Sequence, residues 1–274
     1  MPEQSSSSLS GKRVVITRVV AQSGALAREL WARGATPVSL PLVSFAEPED
    51  PAPLDNAIAK IRQFDWLILT SAQAVRAIVQ RAADLQLPLA GTSRNLRVAC
   101  VGPVTAESAR KANLRVTYVA ATHSGVALAN ELGSRLREAK VLLPRSDRAN
   151  PDLPTALRRY GAQVTEVTAY RTLRPRETDQ DGLKKVADGQ TDAILFFSPS
   201  AVQHFSELVG AEKMRSIQGM LAITAVGPVT ANALREAGVS RVVVADDTTA
   251  VSVIEALEKY FAAAKAAPAG VKRA

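Results

Sequence analysis

The chain has 274 residues, of which 47% are hydrophobic and 22% charged, as is typical of a soluble globular protein long enough for two domains. Its net charge is +8, but the basic residues are scattered and no aromatic residues are interleaved with them. This disfavours nucleic-acid binding and suits an acidic small molecule. A single cysteine, Cys100, excludes an internal disulfide, and two isolated histidines, His123 and His204, disfavour a metal site.

The sequence also predicts the surroundings of the cysteine and the histidines, the disorder of the two tails and the location of the protein. Cys100 lies in an apolar run and is expected to be a buried, inert thiol. His123 and His204 are expected at the surface or at helix starts. Residues 1–10 and 265–274 are predicted to be disordered tails. No apolar run reaches membrane-spanning length and no secretory signal is recognisable, so we expect a cytoplasmic protein.

Short β-branched runs alternate with amphipathic patterns along the chain. Ten runs are predicted strands: 12–17, 36–43, 65–70, 96–101, 114–119, 140–143, 163–170, 192–197, 221–225 and 241–245. Helices are predicted between them, with Ser23, Ser71, Ser198 and Thr248 or Thr249 as N-caps, Gly34, Gly161 and Gly238 as stops, and Val126, Leu128 and Leu132 facing inward. Pro37 and Pro41 indicate an edge for the second strand, and 47–53 is typical of a linker. The alternation predicts an α/β fold with parallel sheets.

The segment Val101-Gly102-Pro103-Val104-Thr105-Ala106 returns unchanged at residues 226–231. In each copy Gly-Pro allows a tight strand-to-helix turn with proline at the first helical position. The free N–H groups that follow, with the threonine hydroxyl, could hold an anion, although a helix start needs no ligand. Further pairs recur 127 residues apart: Arg18 with Arg145, Gly34 with Gly161, Asp65 with Asp192, and Ser71 with Ser198.

The repeat predicts two equivalent five-stranded domains, and its period allows two ways of dividing the chain. A contiguous division falls near residues 134–140. In the other division the chain crosses between lobes near residues 45–53 and 171–182. Residues 45–171 then form one lobe, and the N-terminal βαβ unit joins the C-terminal part to form the other.

Ligands of open parallel sheets bind beyond the carboxyl ends of the strands. Arginines, hydroxyls and helix N-termini occupy these ends: Arg18, Ser71, Gly102, Thr105, Arg145, Ser146, Arg148, Ser198, Ser200, Gly227 and Thr230. The sequence offers no catalytic carboxylate pair, Cys–His pair, Ser–His–Asp arrangement, P-loop or Gly-x-Gly-x-x-Gly motif at them. The set suits a clamp for a ligand with many carboxylates or phosphates.

Each of these residues also has a plainer interpretation. The serines can be N-caps alone, and the arginines can be solvated loop charges or partners in salt bridges. Tyr170 precedes a predicted linker, where it can pack at a domain junction or serve as a proton donor.

Ordered motifs over most of the chain resemble the uroporphyrinogen-III synthase family. The motifs are Val15 to Arg18, Leu69 to Val75, both Val-Gly-Pro-Val-Thr-Ala copies, Leu142 to Arg148, Tyr170-Arg171-Thr172 and Phe197 to Val202. The resemblance implies two flavodoxin-like, doubly wound parallel-sheet lobes with a cleft between them, joined by two crossing strands. This selects the crossing division, with residues 1–44 and 172–262 as lobe one and 45–171 as lobe two.

The resemblance also implies a cofactor-free, metal-free, monomeric lyase of haem and tetrapyrrole biosynthesis. Its substrate hydroxymethylbilane, handed over by hydroxymethylbilane synthase, carries eight carboxylates, which suits the predicted clamp. It becomes uroporphyrinogen III by loss of water and inversion of ring D through a spiro intermediate. The alternative from another class is a non-enzymatic two-lobed sensor or carrier of such a polycarboxylate.

Two catalytic residues follow from the resemblance. Tyr170 matches the tyrosine proposed to assist departure of the substrate hydroxyl. Thr230 matches a threonine of the second Gly-Pro-Thr-Thr motif of the family, in which Val229 here replaces the first threonine. The other residues at the strand ends are expected to bind substrate.

Overall fold

A computed structural model describes residues 7–89, 95–122, 124–247 and 249–266. Its strands are β1 (Arg13–Ile16), β2 (Thr36–Ser39), β3 (Ser44–Ala46), β4 (Trp66–Leu69), β5 (Arg97–Cys100), β6 (Val116–Val119), β7 (Lys140–Ser146), β8 (Gln163–Leu173), β9 (Ala193–Phe196), β10 (Ala222–Val226) and β11 (Val242–Ala245). All ten predicted strands are confirmed. The additional strand β3 was missed because three residues give no readable period.

Helices connect the strands except between β2 and β3, which a short loop joins. They are α1 (Gly24–Ala32), α2 (Ala52–Ala59), α3 (Ala72–Asp84), α4 (Pro103–Lys111), α5 (Gly125–Leu132), α6 (Asp152–Arg159), α7 (Gln180–Ala187), α8 (Pro199–Val209), α9 (Ala211–Ser216), α10 (Pro228–Glu236) and α11 (Ala250–Ala266). Short 3-10 turns occur at Val20–Gln22, Ile61–Gln63, Gly133–Leu136 and Ile217–Gly219. Helices α7 and α9 were not predicted, because polar residues dominate both segments.

The chain divides into two compact units. Unit 1 comprises Met1–Ser44 and Leu173–Ala274, and unit 2 comprises Phe45–Thr172. Each unit contains one sheet, and strands β3 and β8 carry the chain across the two boundaries. The crossing connections lie at residues 44–45 and 172–173.

The sheet of unit 1 has the strand order β11-β10-β9-β1-β2. Strand β1 pairs in parallel with β2 and β9, and β10 pairs in parallel with β9 and β11. Val14 and Ile16 pack with residues of α1 and α11 on one face, while Val15 is buried on the other. Strand β2, which contains Pro37, is at the edge of the sheet as predicted.

The sheet of unit 2 has the order β3-β8-β7-β4-β5-β6. Strand β4 is buried along its whole length and pairs in parallel with β5 and β7. Leu67 and Leu69 belong to one hydrophobic cluster, whereas Trp66 and Ile68 belong to a second. Alternate residues of a strand face opposite sides, so the two clusters lie on opposite faces of the sheet. Each cluster includes residues of helices, so helices cover both faces.

The two sheets repeat one topology. Strands β7, β8, β4, β5 and β6 of unit 2 stand at the repeat positions of β1, β2, β9, β10 and β11 in unit 1. Both sets therefore read 2-1-3-4-5, the flavodoxin-like order, with β3 added at the edge of unit 2. The predicted doubly wound α/β class and the internal pseudo-repeat are confirmed.

Two local predictions are wrong. Ser23 adopts a helical backbone conformation and its hydroxyl donates to the carbonyl of Val19, so it is not a side-chain cap. Val126 is exposed, whereas Leu128 and Leu132 are buried as expected. A valine in the first turn of a helix can fit the apolar period and still point to solvent, because the buried stripe of a helix need not begin at its first turn.

The described parts of the predicted tails are ordered. Leu9 is fully buried, and the hydroxyls of Ser7 and Ser8 donate to the side chain and the carbonyl of Glu258. Helix α11 extends to Ala266. Residues 1–6 and 267–274 of these tails lie outside the described residues.

Candidate active site

The carboxyl end of β4 in unit 2 brings together two predicted site residues. Ser71 follows this strand and caps α3, with its Oγ accepting a hydrogen bond from the Ala74 backbone N–H at 3.0 Å. The same Oγ lies 3.2 Å from the phenolic oxygen of Tyr170, and either hydroxyl can be the donor. Ser71 is therefore an N-cap, as predicted, and also a hydrogen-bond partner of Tyr170.

A bulge in β8 sets the position of Tyr170. Thr168 is paired with Arg145, but the next pair along the ladder is Tyr170 with Ser146, so Ala169 is an extra residue. A bulge of this kind changes the direction in which the following side chain points. Ala169 and Tyr170 are consequently both buried, and the Tyr170 ring packs edge-on against Phe45 at a centroid distance of 5.6 Å.

The surroundings of Tyr170 keep its phenol protonated. Burial raises the pKa of Tyr170, and the charge of Asp147 raises it further. The hydrogen bond with Ser71 and the charges of Arg76 and Arg145 act in the opposite direction and stabilise a phenolate without reversing the net shift. The Tyr170 phenol is thus protonated at neutral pH, and two cations lie near enough to stabilise the phenolate that forms when it loses its proton.

The end of β7 is held by its own hydrogen bonds. Arg145 is 8% exposed and donates to Glu166 at 2.9 Å and to the carbonyl of Asn150. The Ser146 hydroxyl contacts Thr172 Oγ1 and Asp147 Oδ1, both at 2.9 Å. This arrangement satisfies much of the hydrogen-bonding capacity of both residues within unit 2.

Unlike Arg145, Arg148 is exposed, and its backbone N–H donates to Ser146 Oγ at 3.2 Å. Its guanidinium is therefore accessible to solvent, as the prediction of a substrate contact requires.

In unit 1 the corresponding strand ends are those of β1 and β9, which are neighbours in the sheet. The Arg18 guanidinium lies over the Phe197 ring, 4.5 Å from its centroid. Ser198 caps α8 through its Oγ, which accepts from the Ala201 N–H at 3.2 Å, and Ser200 lies half-buried in the first turn. The strand order reverses between β1 and β9, which is where ligands of such sheets bind.

The two identical hexapeptides start helices with different backbone conformations. Gly102 precedes α4 with φ −158° and ψ 172°, an extended conformation that any residue adopts. Gly227 precedes α10 with φ 96° and ψ 165°, in the region that favours glycine. Thr105 and Thr230 are both buried in the first turns of these helices.

The sequence did not identify Arg76 or Phe45 as site residues, although both lie beside Tyr170. Arg76 follows Ser71 on the first turns of α3, so its place after a predicted cap was an available signal. Phe45 belongs to β3, the strand that was not predicted. His204 was expected at the surface or at a helix start, but it is buried within α8, where its Nδ1–H donates to the Leu42 carbonyl at 2.7 Å.

Metal and thiol chemistry find no support in the described residues. Across the described ranges, His, Cys, Asp and Glu form no group of three or more that could hold a metal ion, and His123 lies outside those ranges. Cys100 is fully buried, as predicted, and burial raises the pKa of its thiol to about 12, so it is almost entirely protonated at neutral pH. Within the same ranges no helix is both long and apolar enough to cross a membrane.

A family model described as uroporphyrinogen-III synthase HemD matches residues 24–255. The chain belongs to the uroporphyrinogen-III synthase family. A uroporphyrinogen-III synthase from Synechococcus elongatus is 32% identical over 233 residues, which cover 83% of this chain and 87% of that protein. The family resemblance of the sequence motifs is therefore confirmed over most of the chain.

Two solved members of the uroporphyrinogen-III synthase family share the fold. A mutant uroporphyrinogen III synthase from Thermus thermophilus matches with a TM-score of 0.61 at 24% identity, over 93% of this chain and 99% of that one. The enzyme from Helicobacter pylori 26695 matches with a TM-score of 0.54 at 15% identity, over 91% and 99% of the two chains. The chain thus shares its α/β fold with both of these proteins.

Proposed function

We propose that this chain converts hydroxymethylbilane into uroporphyrinogen III. Membership of the uroporphyrinogen-III synthase family supports the reaction. The observation that carries the assignment within the chain is the buried Tyr170 phenol, held 3.2 Å from Ser71 Oγ at the carboxyl end of the unit 2 sheet. A protonated phenol at this position is suited to assist departure of a hydroxyl group.

In the proposed reaction Tyr170 transfers its proton to the hydroxyl of the substrate as the carbon–oxygen bond breaks. The products of this step are water and a cationic azafulvene, with the phenolate stabilised by Ser71, Arg76 and Arg145. Ring D then attacks the cation through its substituted carbon, and the spiro intermediate rearranges to the inverted macrocycle. The proton released from ring D on closure restores the phenol, so one water is lost overall.

Positioning decides the product of this reaction. The cation is reactive and closes without help to the unrotated isomer, so the protein must hold ring D in the conformer that attacks through its substituted carbon. We propose that anion-binding groups in each unit hold the substrate carboxylates for this purpose. In unit 2 they are Ser71, Gly102, Thr105, Ser146 and Arg148, with Arg145 supporting the strand end.

Unit 1 offers a similar set of groups for carboxylates. It comprises Arg18, Ser198, Ser200, Gly227 and Thr230, at the ends of β1, β9 and β10. Helix N-termini favour anions because their first N–H groups are unpaired and the helix dipole is positive there. We propose that Thr230 also contributes to turnover, while Val229, 55% exposed, cannot supply the hydroxyl of the family motif.

The test is to supply hydroxymethylbilane and separate the oxidised products by chromatography. We expect the type III isomer to dominate, with no added metal or cofactor. A protein that only carries or senses a polycarboxylate would leave the type I isomer dominant, as it is without enzyme.

We also propose that hydroxymethylbilane synthase hands over the substrate and that the protein is a monomer. The same assay coupled to that enzyme tests the hand-over, and light scattering tests the monomer. We further propose that the protein is located in the cytoplasm.

A further inference from the structure

A cavity of about 440 Å³ lies beside Tyr170 in unit 2. Its walls come from α2, α3, β3 with the segment that follows it, and β8. Phe45, Tyr170, Leu54, Ala77 and Ala169 supply apolar surface. The volume falls in the range of small-molecule sites. Apolar walls are combined there with polar and charged side chains, which are Glu47, Gln73, Arg76, Gln80, Arg81, Asp84 and Tyr170.

Two arginines line this cavity, and they differ in their partners. Arg81 makes a bidentate ion pair with Asp55, with N–O distances of 2.6 and 2.7 Å. The charged neighbours Glu47 and Asp84 also act on Arg81. The Nε and Nη2 groups of Arg76 donate instead to the neutral side-chain oxygen of Gln73, at 3.1 and 3.0 Å. Within the described ranges, Arg76 has no carboxylate within ion-pair distance.

Arg76 therefore presents an uncompensated positive charge at the Tyr170 end of the cavity. It is reachable from solvent, yet partial loss of hydration lowers the pKa of its guanidinium. The two carboxylates that line the cavity, Glu47 and Asp84, both act on the charge of Arg81. A ligand carboxylate bound at Arg76 would restore the favourable interaction that hydration no longer fully supplies.

We propose that this cavity binds the terminal pyrrole ring that carries the hydroxymethyl group, with Arg76 binding a carboxylate of that ring. The inference deepens the proposed function and rests on it. The ring would lie against Phe45 and the wall of α3, which places its hydroxymethyl group beside the phenol of Tyr170. Gln73 holds the guanidinium fork in a fixed direction, because two of its N–H groups share one acceptor.

The test compares Arg76→Gln with a matched control, Arg235→Gln. Arg235 lies in the last turn of α10 in unit 1, where its guanidinium donates to the side-chain oxygen of Asn232, three residues earlier. Each substitution removes one charge from an exposed helix position, together with the guanidinium hydrogen bonds to the residue three positions earlier, two for Arg76 and one for Arg235. We expect Arg76→Gln to raise the KM for hydroxymethylbilane at least about tenfold, as a lost charge-assisted hydrogen bond predicts. Arg235→Gln should change KM less than twofold, and Arg76→Lys should be intermediate.

A binding measurement separates this inference from the proposed function. Uroporphyrin III, a stable polycarboxylate with the product skeleton, is titrated by fluorescence at low and high salt. We expect Arg76→Gln to bind at least about fivefold more weakly at low salt, with a smaller difference at high salt because ions screen the charge. Circular dichroism and thermal melting check that the variants are folded.

The outcomes divide clearly. If the wild-type protein forms the type III isomer and Arg76→Gln retains its KM and its affinity, the inference is overturned and the proposed function stands. If the wild-type protein forms no type III isomer but binds uroporphyrin III through Arg76, the cavity is a tetrapyrrole-carboxylate site and the proposed reaction fails. If the wild-type protein neither reacts nor binds, both are overturned.

Discussion

The two units share a framework and differ in the groups placed on it. Ser71 and Ser198 cap equivalent helices through the same hydrogen bond, at 3.0 and 3.2 Å. The residue 127 positions before Tyr170 is Val43, a buried apolar side chain, and the residue 127 positions after Arg76 is Gln203. At these equivalent positions only unit 2 has a phenol and an arginine without a carboxylate partner, so the proton transfer that we propose takes place in that unit.

The motif copies differ in a second way, although their sequences are identical. Gly227 has a positive φ and Gly102 does not. The backbone therefore turns from the strand into α10 with a different geometry from the turn into α4. The added Cβ of an alanine at Gly227 would meet no atom within 4 Å, so backbone conformation rather than space favours glycine there. The two identical hexapeptides thus form helix starts that differ in backbone geometry.

The largest expected effect tests the assignment of proton transfer to unit 2. We expect Tyr170→Phe to lower kcat by about tenfold or more while the protein remains folded, because the ring keeps its packing against Phe45. The wild-type rate should also fall at alkaline pH, above the ordinary phenol pKa of about 10, since burial raises this pKa and the acid is active only when protonated. The variant should lack this alkaline loss.

Tyr118→Phe is the matched control for this prediction. Tyr118 is another tyrosine of unit 2, and its hydroxyl donates to Glu131 at 3.0 Å. Removing that hydroxyl should leave kcat within twofold. An unchanged rate in Tyr170→Phe, or an equal loss in both variants, would remove Tyr170 from the role of general acid.

The second expected effect concerns the two motif copies. Thr230→Ala should lower kcat/KM by about fivefold, the value of one hydrogen bond to substrate, and Thr105→Ala should lower it less. Both threonines are more than nine-tenths buried, so their contributions to stability should be similar and can be compared by denaturant unfolding. Equal kinetic effects would instead indicate that both copies hold carboxylates in the same way.

Much of the fold could be predicted because its signals are local. Apolar runs located all ten longer strands, and serines after β4 and β9 located two helix starts with their capping hydrogen bonds. The spacing of 127 residues predicted two equivalent five-stranded domains, and the two sheets do share one strand order. Strand β3 was not predicted because three residues show no period. The burial of His204 was not predicted because a buried histidine gives the same sequence pattern as an exposed one.

The candidate site depends on contacts that the residues alone could not give. Ser71 and Tyr170 are 99 residues apart, and their strands are separated in the sheet by β7, a span of about 10 Å. The tyrosine that reaches Ser71 directly follows the bulge at Ala169, and that bulge has no signature in the sequence. Tyr170 was a candidate from its place before a predicted linker and through the family resemblance. Arg76 follows a predicted cap, but only the cavity showed that it lies beside Tyr170.

The smallest expected effect separates capping from chemistry at equivalent positions. Ser71→Ala and Ser198→Ala each remove an N-cap, so each should lower the free energy of unfolding by about 1 kcal/mol. Only Ser71 also contacts Tyr170 at 3.2 Å, so Ser71→Ala should in addition lower kcat about fivefold by removing one hydrogen bond to the phenol. Because Ser198→Ala reproduces the loss of the cap, a similar fall in kcat for both variants would mean that the serines act on turnover through helix stability or carboxylate binding. A fall confined to Ser71→Ala would show that its hydroxyl acts through the phenol.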